Sequence, residues 1–339
     1  MTGAHSWPWE DAGVRLGTLR GLDACASDRG TFSVLALDHR NNLRRALAPD
    51  DPGSVSYERL VAIKRSIVRA IAPVADGILL DPELGAGPAV YDGSLPSGCG
   101  LMVAVEESGY DGPSTERTSR LMQGWSVSQI KRMGADAVKL LIYYHPDAAN
   151  AEVQERLLIE VAEQCADVDI PLFLETLTYP IDPSVDKLTD EARRDAVVRS
   201  AHRLTALGGD VYKCEFPYDA GVTDATRWSE ACAELEEASA IPWVILSAGV
   251  DDTTFEAQTR AACAAGASGV LVGRSVWKEG AHMEAPARDA WLAETGVARM
   301  QRLVDIVEAE ATPWRERSPL VHEPEPTEGW AAGYPGYPG

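Results

Sequence analysis

The sequence predicts a single α/β domain folded as a (β/α)8 barrel, on three observations. Eight short apolar runs recur along the chain, helix-patterned segments separate them, and no G-x-G-x-x-G fingerprint follows the first run. The near-continuous apolar character of the runs is that of parallel strands covered on both faces, and eight such repeats in about 250 residues fit a closed barrel better than an open doubly wound sheet. At 339 residues, with 45% apolar and 24% charged residues, the chain is long enough for one such domain.

Residues 1–31 lack apolar periodicity and read as an entry segment, with a short helix expected over Glu10–Ala24. The strands follow in order: Phe32–Asp38, Asp76–Asp81, Leu101–Glu106, Asp136–Tyr144, Pro171–Thr176, Asp210–Phe216, Pro242–Gly249 and Gly269–Arg274. Helical spacing of apolar residues predicts helices over Tyr57–Pro73, Thr118–Met133, Ala151–Cys165, Val185–Leu207, Ala225–Ser239 and Phe255–Ala265, and a final helix over 284–311. The connection Pro82–Gly100 is rich in Gly and Pro and is expected to carry little helix. Residues 32–311 thus form the barrel. Residues 312–339, rich in Pro and Glu and ending in GYPGYPG, read as a tail that is mobile or lies over a neighbour.

Composition excludes several function classes. A formal net charge of −21, from 31 Lys and Arg against 52 Asp and Glu, argues against a nucleic-acid partner. Any anionic ligand must be held by a local positive site. The six cysteines (Cys25, Cys99, Cys165, Cys214, Cys232, Cys263) stand singly, without the paired spacing of a zinc site, and read as apolar fillers in a reducing compartment. With no signal-like N-terminus and no run approaching 18 apolar residues, a soluble cytoplasmic protein without a membrane partner is expected.

Barrel active sites form at the C-terminal ends of the strands, so polar residues that close apolar runs are the candidates. These are Asp38 and His39, Asp81 and Glu83, Glu106, Lys139, Glu175, Lys213, Ser247 and Arg274, taken strand by strand. Asp136 and Asp210 start strands and read as polar entries, and any single strand-end acid could equally cap the next helix. Lys213, in the run GDVYKCEFP, could be a lysine whose head simply reaches water. Beside Lys139 and Glu175 that explanation weakens: two lysines in one mouth each disfavour the other's protonation, and a glutamate between them can shuttle a proton. Such an arrangement yields an imine-forming lysine. Ser247–Gly249 and Gly273–Arg274 follow the seventh and eighth strands, where this fold commonly holds a phosphate through loop amides and a forked guanidinium.

The segments LALDHR, GILLDPELG, LMVAVEESGYD, RMGADAVKLLIYYHPD, PLFLETLTYP, DVYKCEFP, PWVILSAGV and GVLVGRSVWKE resemble the class I tagatose-1,6-bisphosphate aldolase family, which includes sulfofructose-1-phosphate aldolases. The resemblance spans residues 30–285. It implies a Schiff-base aldolase that uses no metal and no cofactor and acts on a small phosphorylated sugar. In that reading Lys213 is the imine lysine, Glu175 the proton-shuttling acid/base, Lys139 the charge-tuning second lysine, and Asp38 the acid that meets the ketose hydroxyls. Ser247, Gly249, Gly273 and Arg274 fall where the family holds the C1 phosphate, and His39, Asp81 and Glu106 are further substrate-binding candidates. His39 departs from the glutamine common at that place, which leaves hydroxyl recognition open, as are the distal phosphate or sulfonate and its partner residues. Family barrels are often oligomeric, so a homo-oligomer is expected. The competing reading is a barrel that binds a sugar phosphate without cleaving it.

Overall fold

The computed structural model describes residues 15–322, 325–326 and 328–334. Eight parallel strands close in chain order: β1 (Phe32–Leu37), β2 (Gly77–Leu80), β3 (Gly100–Ala104), β4 (Ala137–Tyr143), β5 (Leu172–Leu177), β6 (Val211–Glu215), β7 (Trp243–Leu246) and β8 (Gly269–Val272), with β8 pairing back to β1 through Phe32 and Gly269. The (β/α)8 barrel is therefore the fold of this chain. Strand alternation divides its apolar residues into two cores. Phe32, Val34, Ala36, Leu79, Met102, Ala137, Phe173, Val211, Val244 and Leu271 fill the barrel interior. The intervening residues, such as Leu35, Ile78, Val103, Leu140 and Ile245, join the layer between sheet and helices.

The base of the barrel is built from segments that the sequence placed outside it. The helix Leu16–Ala24 lies across the strand starts, close enough that a Cβ on Gly100 would stand 2.3 Å from the Ala24 carbonyl oxygen, so β3 must begin with glycine. The Glu10–Leu16 part of the expected helix lies mostly outside the described residues. Leu22 and Cys25 from this helix join the interior cluster, and so do Trp314 and Leu320 from the expected tail. Trp314 is fully buried, its backbone N–H donates to the Gly30 carbonyl (2.8 Å), and Arg317 donates to the Glu236 and Ser239 carbonyls. Residues 312–321 thus close the barrel floor. A tryptophan and a leucine suffice to bury a segment whose average composition suggests a tail.

Asp136 and Asp210, read as polar entries, accept backbone N–H bonds from the neighbouring strands at Leu101 (2.9 Å) and Leu172 (2.8 Å). Asp210 also forms a buried ion pair with Arg15. Both acids are latches at the strand starts.

Three helix expectations are corrected. Within Thr118–Met133 only Val127–Arg132 is helical, because Thr118 and Leu121 bridge antiparallel to Asp111 and Glu106, and Gly124 takes φ 74° just before the Ser126 cap. The helix expected from Val185 begins at Asp190, since Asp182 turns the chain by accepting from the Ser184 N–H and hydroxyl. Pro82–Gly100, by contrast, carries more helix than expected: a π-helical turn Pro82–Ala86 runs into a short α-helix Gly87–Tyr91, each opened by a proline in its first turn. A further short helix, Asn41–Leu47, follows β1 in a stretch for which the sequence predicts no helix.

If Trp314 closes the floor as packed, Trp314→Ala should cost roughly 3–5 kcal/mol of stability. Urea unfolding of the two proteins measures it, and a loss under about 1 kcal/mol would show that this segment is not part of the folded core.

Candidate active site

Strand alternation sends Asp38, Lys139, Glu175 and Lys213 to the inside of the C-terminal mouth, together with Glu106 just past β3. They line a cleft of about 320 Å³ that also includes His39, Ser247, Gly273 and Arg274. Lys139 is in register with Ala104 and Phe173, while Glu175 is in register with Leu141 and Lys213. The two lysines thus reach Glu175 from different heights.

Lys139 is the centre of the charge cluster. Its Nζ lies 2.8 Å from Asp38 Oδ2, 2.6 Å from Glu106 Oε1 and 2.9 Å from Glu175 Oε2, and its side chain is almost wholly buried. Burial works against its charge, but the three carboxylates outweigh that and hold the amine well above the usual lysine range. The expectation that the lysines would lower one another therefore does not hold for Lys139. Lys213 Nζ lies 2.8 Å from the same Glu175 Oε2 and has no other ion-pair partner among the described residues. Burial raises the Glu175 carboxyl, yet Lys139 and Lys213 together pull it below its ordinary value. Asp38 is likewise held well below the carboxylate range, burial being outweighed by Lys139, Lys213 and His39.

His39 packs edge-on against Trp277, with ring centroids 5.1 Å apart, and its Nδ1 is 3.9 Å from Asp38 Oδ1. Burial, aided by the charges of Arg274, Lys64 and Lys213 and opposed by Asp38, pushes its pKa down to about 4. At neutral pH the imidazole is uncharged.

On the β7–β8 side, Ser247 is buried and the next two residues, Ala248 and Gly249, take positive φ of 48° and 83°. The turn is closed by the Val250 N–H on the Ser247 carbonyl and by the Ser275 hydroxyl on the Val250 carbonyl. An alanine in the left-handed region is a strained choice retained at the edge of the cleft. A Cβ on Gly249 would lie 3.1 Å from Arg274 Cζ, so glycine leaves room for the guanidinium. Arg274 opens the helix Arg274–Ala281 and, among the described residues, makes no hydrogen bond or ion pair.

Asp81 is not brought to the cleft. It is fully buried, forms an ion pair with Lys64 from the helix Tyr57–Ile71, and caps the turn after β2 by accepting from the Leu84 N–H (2.8 Å). Lys64 also donates to the Leu37 carbonyl (2.8 Å), so the pair ties a helix to the ends of β1 and β2. Glu83 is exposed on the surface. Conversely, the cleft gains Arg40, Arg117, Tyr143, Thr178 and Glu215. Period-two counting from Lys139 and Lys213 reaches Tyr143 and Glu215; Arg117 sits in an irregular excursion where no period applies.

Among the described residues no group of three or more His, Cys, Asp or Glu is arranged to hold a metal ion, and no helix is long and apolar enough to cross a membrane.

A closed parallel barrel with paired lysines and carboxylates at its C-terminal mouth has the make-up of a barrel enzyme that works on a carbonyl substrate. The chain belongs to the DeoC/LacD family of aldolases, whose model matches residues 32–279, and is accordingly a carbon–carbon lyase. It is 33% identical over 324 residues to tagatose 1,6-diphosphate aldolase 2 of Streptococcus agalactiae serotype III, covering 87% of this chain and 97% of that one. It is 32% identical to tagatose 1,6-diphosphate aldolase 1 of Streptococcus pyogenes serotype M1, covering 86% and 95%. Similar folds include an archaeal fructose 1,6-bisphosphate aldolase (TM-score 0.56, 18% identity, 85% and 98% covered) and the fructose-bisphosphate aldolase of Plasmodium falciparum (TM-score 0.67, 12% identity, 91% and 97% covered).

Two measurements test these assignments. Lys64→Met, which strands a buried carboxylate, should cost roughly 3–5 kcal/mol, and adding Asp81→Asn should recover part of it; a single variant as stable as wild type would deny the pair its structural role. The second concerns His39. Its folded pKa lies below its unfolded value near 6.5, so the unfolded chain takes up a proton that the native state refuses. Stability is lost as pH falls from about 6.5 and levels off below the folded value. Wild type should therefore lose roughly 2–3 kcal/mol more than His39→Gln between pH 7 and pH 4.5 in urea unfolding.

Proposed function

We propose that this aldolase cleaves a phosphorylated ketose, tagatose 1,6-bisphosphate being the best-supported substrate, through an imine on Lys213. The observation that carries the reading is Glu175 Oε2, which lies 2.8 Å from Lys213 Nζ and 2.9 Å from Lys139 Nζ. One carboxylate oxygen can then take a proton from one amine while the other amine remains charged beside it. Lys139 has two further carboxylates to keep it an ammonium; Lys213 has none, which marks Lys213 as the nucleophile.

The Lys213 amine adds to the C2 carbonyl, and loss of water from the carbinolamine leaves an iminium. Glu175 supplies the proton for that water and then removes the C4 hydroxyl proton. The C3–C4 electrons flow into the iminium, an aldehyde departs, and the enamine is protonated at C3. Hydrolysis of the second iminium frees Lys213 and releases dihydroxyacetone phosphate. Asp38, held ionised at the rim of the cluster, accepts hydrogen bonds from the ketose hydroxyls. Ser247, Gly249, Gly273 and the unpaired Arg274 receive the C1 phosphate, the Arg274 fork matching two of its oxygens. The names of the bacterial relatives favour tagatose 1,6-bisphosphate over a sulfonated ketose phosphate, for which no specific feature of the cleft speaks. A barrel that only binds sugar phosphates would have no use for a carboxylate shared by two buried amines.

Borohydride reduction in the presence of dihydroxyacetone phosphate should attach a stable adduct to Lys213, located by peptide mass spectrometry. Lys213→Met should keep the fold and lower cleavage by at least about 10³-fold, as removal of a covalent nucleophile does. An adduct on another lysine, or cleavage that survives the substitution, would refute the assignment.

A further inference from the structure

A substrate with an anionic group at each end needs a second cation across the cleft from Arg274, and we propose that Arg117 is that residue. It would receive the terminal phosphate or sulfonate at the end of the ketose remote from the imine carbon, and so set the requirement for a doubly charged substrate. The inference rests on the imine reading above and extends it to the far end of the substrate.

Arg117 and Arg274 line the same cleft but belong to opposite sides of the ring. Arg274 begins the helix that follows β8, whereas the Arg117 guanidinium lies 5.8 Å from the ring centre of Tyr143, the last residue of β4. In a barrel closed in the order β1 to β8, β4 and β8 are four strands apart, the largest separation the ring allows. Glu175 and Lys213, on β5 and β6, stand between them. A chain molecule whose carbonyl meets Lys213 and whose near phosphate meets Arg274 therefore directs its other end toward β4.

Among the candidates, Arg117 is singled out by terminal nitrogens that are not already engaged by acids, carbonyls or sulfur of the described residues. Lys187 and Arg193, which border the adjoining recess with Arg117, pair with Asp219 (3.5 Å) and Glu215 (3.1 Å). Arg40 spends its terminal nitrogens on the Glu106 carbonyl (2.5 Å) and Met122 Sδ (3.0 Å). Arg117 has no carboxylate within ion-pair distance among the described residues. Among the described residues its one side-chain hydrogen bond runs from Nε to the Ser114 carbonyl (3.1 Å), and neither terminal nitrogen has an acceptor there.

Its position is nevertheless fixed. The guanidinium stacks over Tyr110 at 4.8 Å and Tyr179 at 5.2 Å as well as Tyr143, and Tyr110 and Tyr143 pack edge to face at 5.0 Å. The Arg117 carbonyl accepts from Asn150 Nδ2 (3.0 Å), which holds the excursion against the next helix. Aromatic faces anchor a guanidinium without neutralising it, so the ordering is complete before an anion arrives and the forked donor stays free to bind it. In a chain of net charge −21, an ordered arginine without a carboxylate partner in the cleft is a feature that asks for an anion.

The test compares three substrates: a ketose 1,6-bisphosphate, the 1-phosphate with an uncharged C6, and the 6-sulfonate analogue of the bisphosphate. Arg117→Met should lower kcat/KM for the bisphosphate roughly 10- to 100-fold, mainly through KM, while changing the 1-phosphate less than about twofold. Arg117→Lys should restore part of the loss, since it returns the charge without the fork. The 6-sulfonate arm shows whether phosphate or sulfonate is the better fit; a loss for either dianionic substrate but not for the 1-phosphate supports the proposal. An equal loss for all three, or none, overturns it. Borohydride trapping with dihydroxyacetone phosphate, which has no distal group, separates this outcome from failure of the catalytic reading. An adduct in both proteins with unchanged discrimination removes only the role of Arg117, while no adduct in wild type removes the imine chemistry and this proposal with it.

Discussion

Three carboxylates converge on one buried ammonium at the mouth of this barrel, and the arrangement of the cleft depends on that cation. Asp38, Glu106 and Glu175 come from three strands and would repel one another strongly at this depth. Lys139 offsets that repulsion by taking all three as partners, and the desolvation that each group suffers is compensated by this pairing. The consequence reaches Lys213. Glu175 is oriented and charged by Lys139, so it meets the second amine as a base already in place. Lys139, a charge-tuning second lysine in the sequence resemblance, is in geometric terms a fixed charge beside the carboxylate that meets Lys213.

The same separation of duties runs along the barrel axis. At the floor, Asp136 and Asp210 bind strand backbones, and Leu22, Trp314 and Leu320 seal the interior with apolar surface. At the mouth, three residues beyond Asp136 and Asp210 along the same strands, the inward positions carry Lys139 and Lys213. Lys64 and Asp81 mark the boundary between these regions: an ion pair as buried as the charge cluster at the mouth, but turned outward from the barrel to hold a helix. Burial and pairing alone therefore do not identify a functional charge. What distinguishes the cluster at the mouth is that it borders open volume and that its acceptor is shared between two donors.

Much of this was legible from residue order. Eight β-branched and leucine-rich runs specify the barrel because a parallel strand is apolar on both faces, and a lysine or glutamate within such a run can only face the interior end where polar groups are tolerated. Asp38, Glu106, Lys139, Glu175 and Lys213 were found by that rule. Asp81 was misplaced by it, because a strand-end residue can also turn outward, and the partner that captures it, Lys64, sits on a helix where a buried lysine has no signature. The helix expected over Thr118–Met133 failed for a related reason: apolar spacing in TSRLMQGW fits a helix, but antiparallel bridges to the β3 excursion claim its backbone. Trp314 was read as part of a tail because the composition of a whole segment hides the effect of one large buried side chain.

The charge balance of the molecule bears on how such a cleft can work at all. A body of net charge −21 repels a substrate that carries four negative charges at most, and counter-ions screen that repulsion only beyond about 8–10 Å. Within the cleft the substrate must meet cations whose charge has not been spent. Lys139 cannot serve that purpose, since three carboxylates already surround it. Arg274 and Arg117 can, because glycine makes room for one and tyrosine rings hold the other, and neither device uses an acid. Ordering an arginine by shape and aromatic contact, rather than by an ion pair, keeps its full charge available in a protein that otherwise has an excess of acids to neutralise it. A guanidinium held without carboxylates keeps its charge for an anion, whereas Lys139 has already committed its own to the three acids around it.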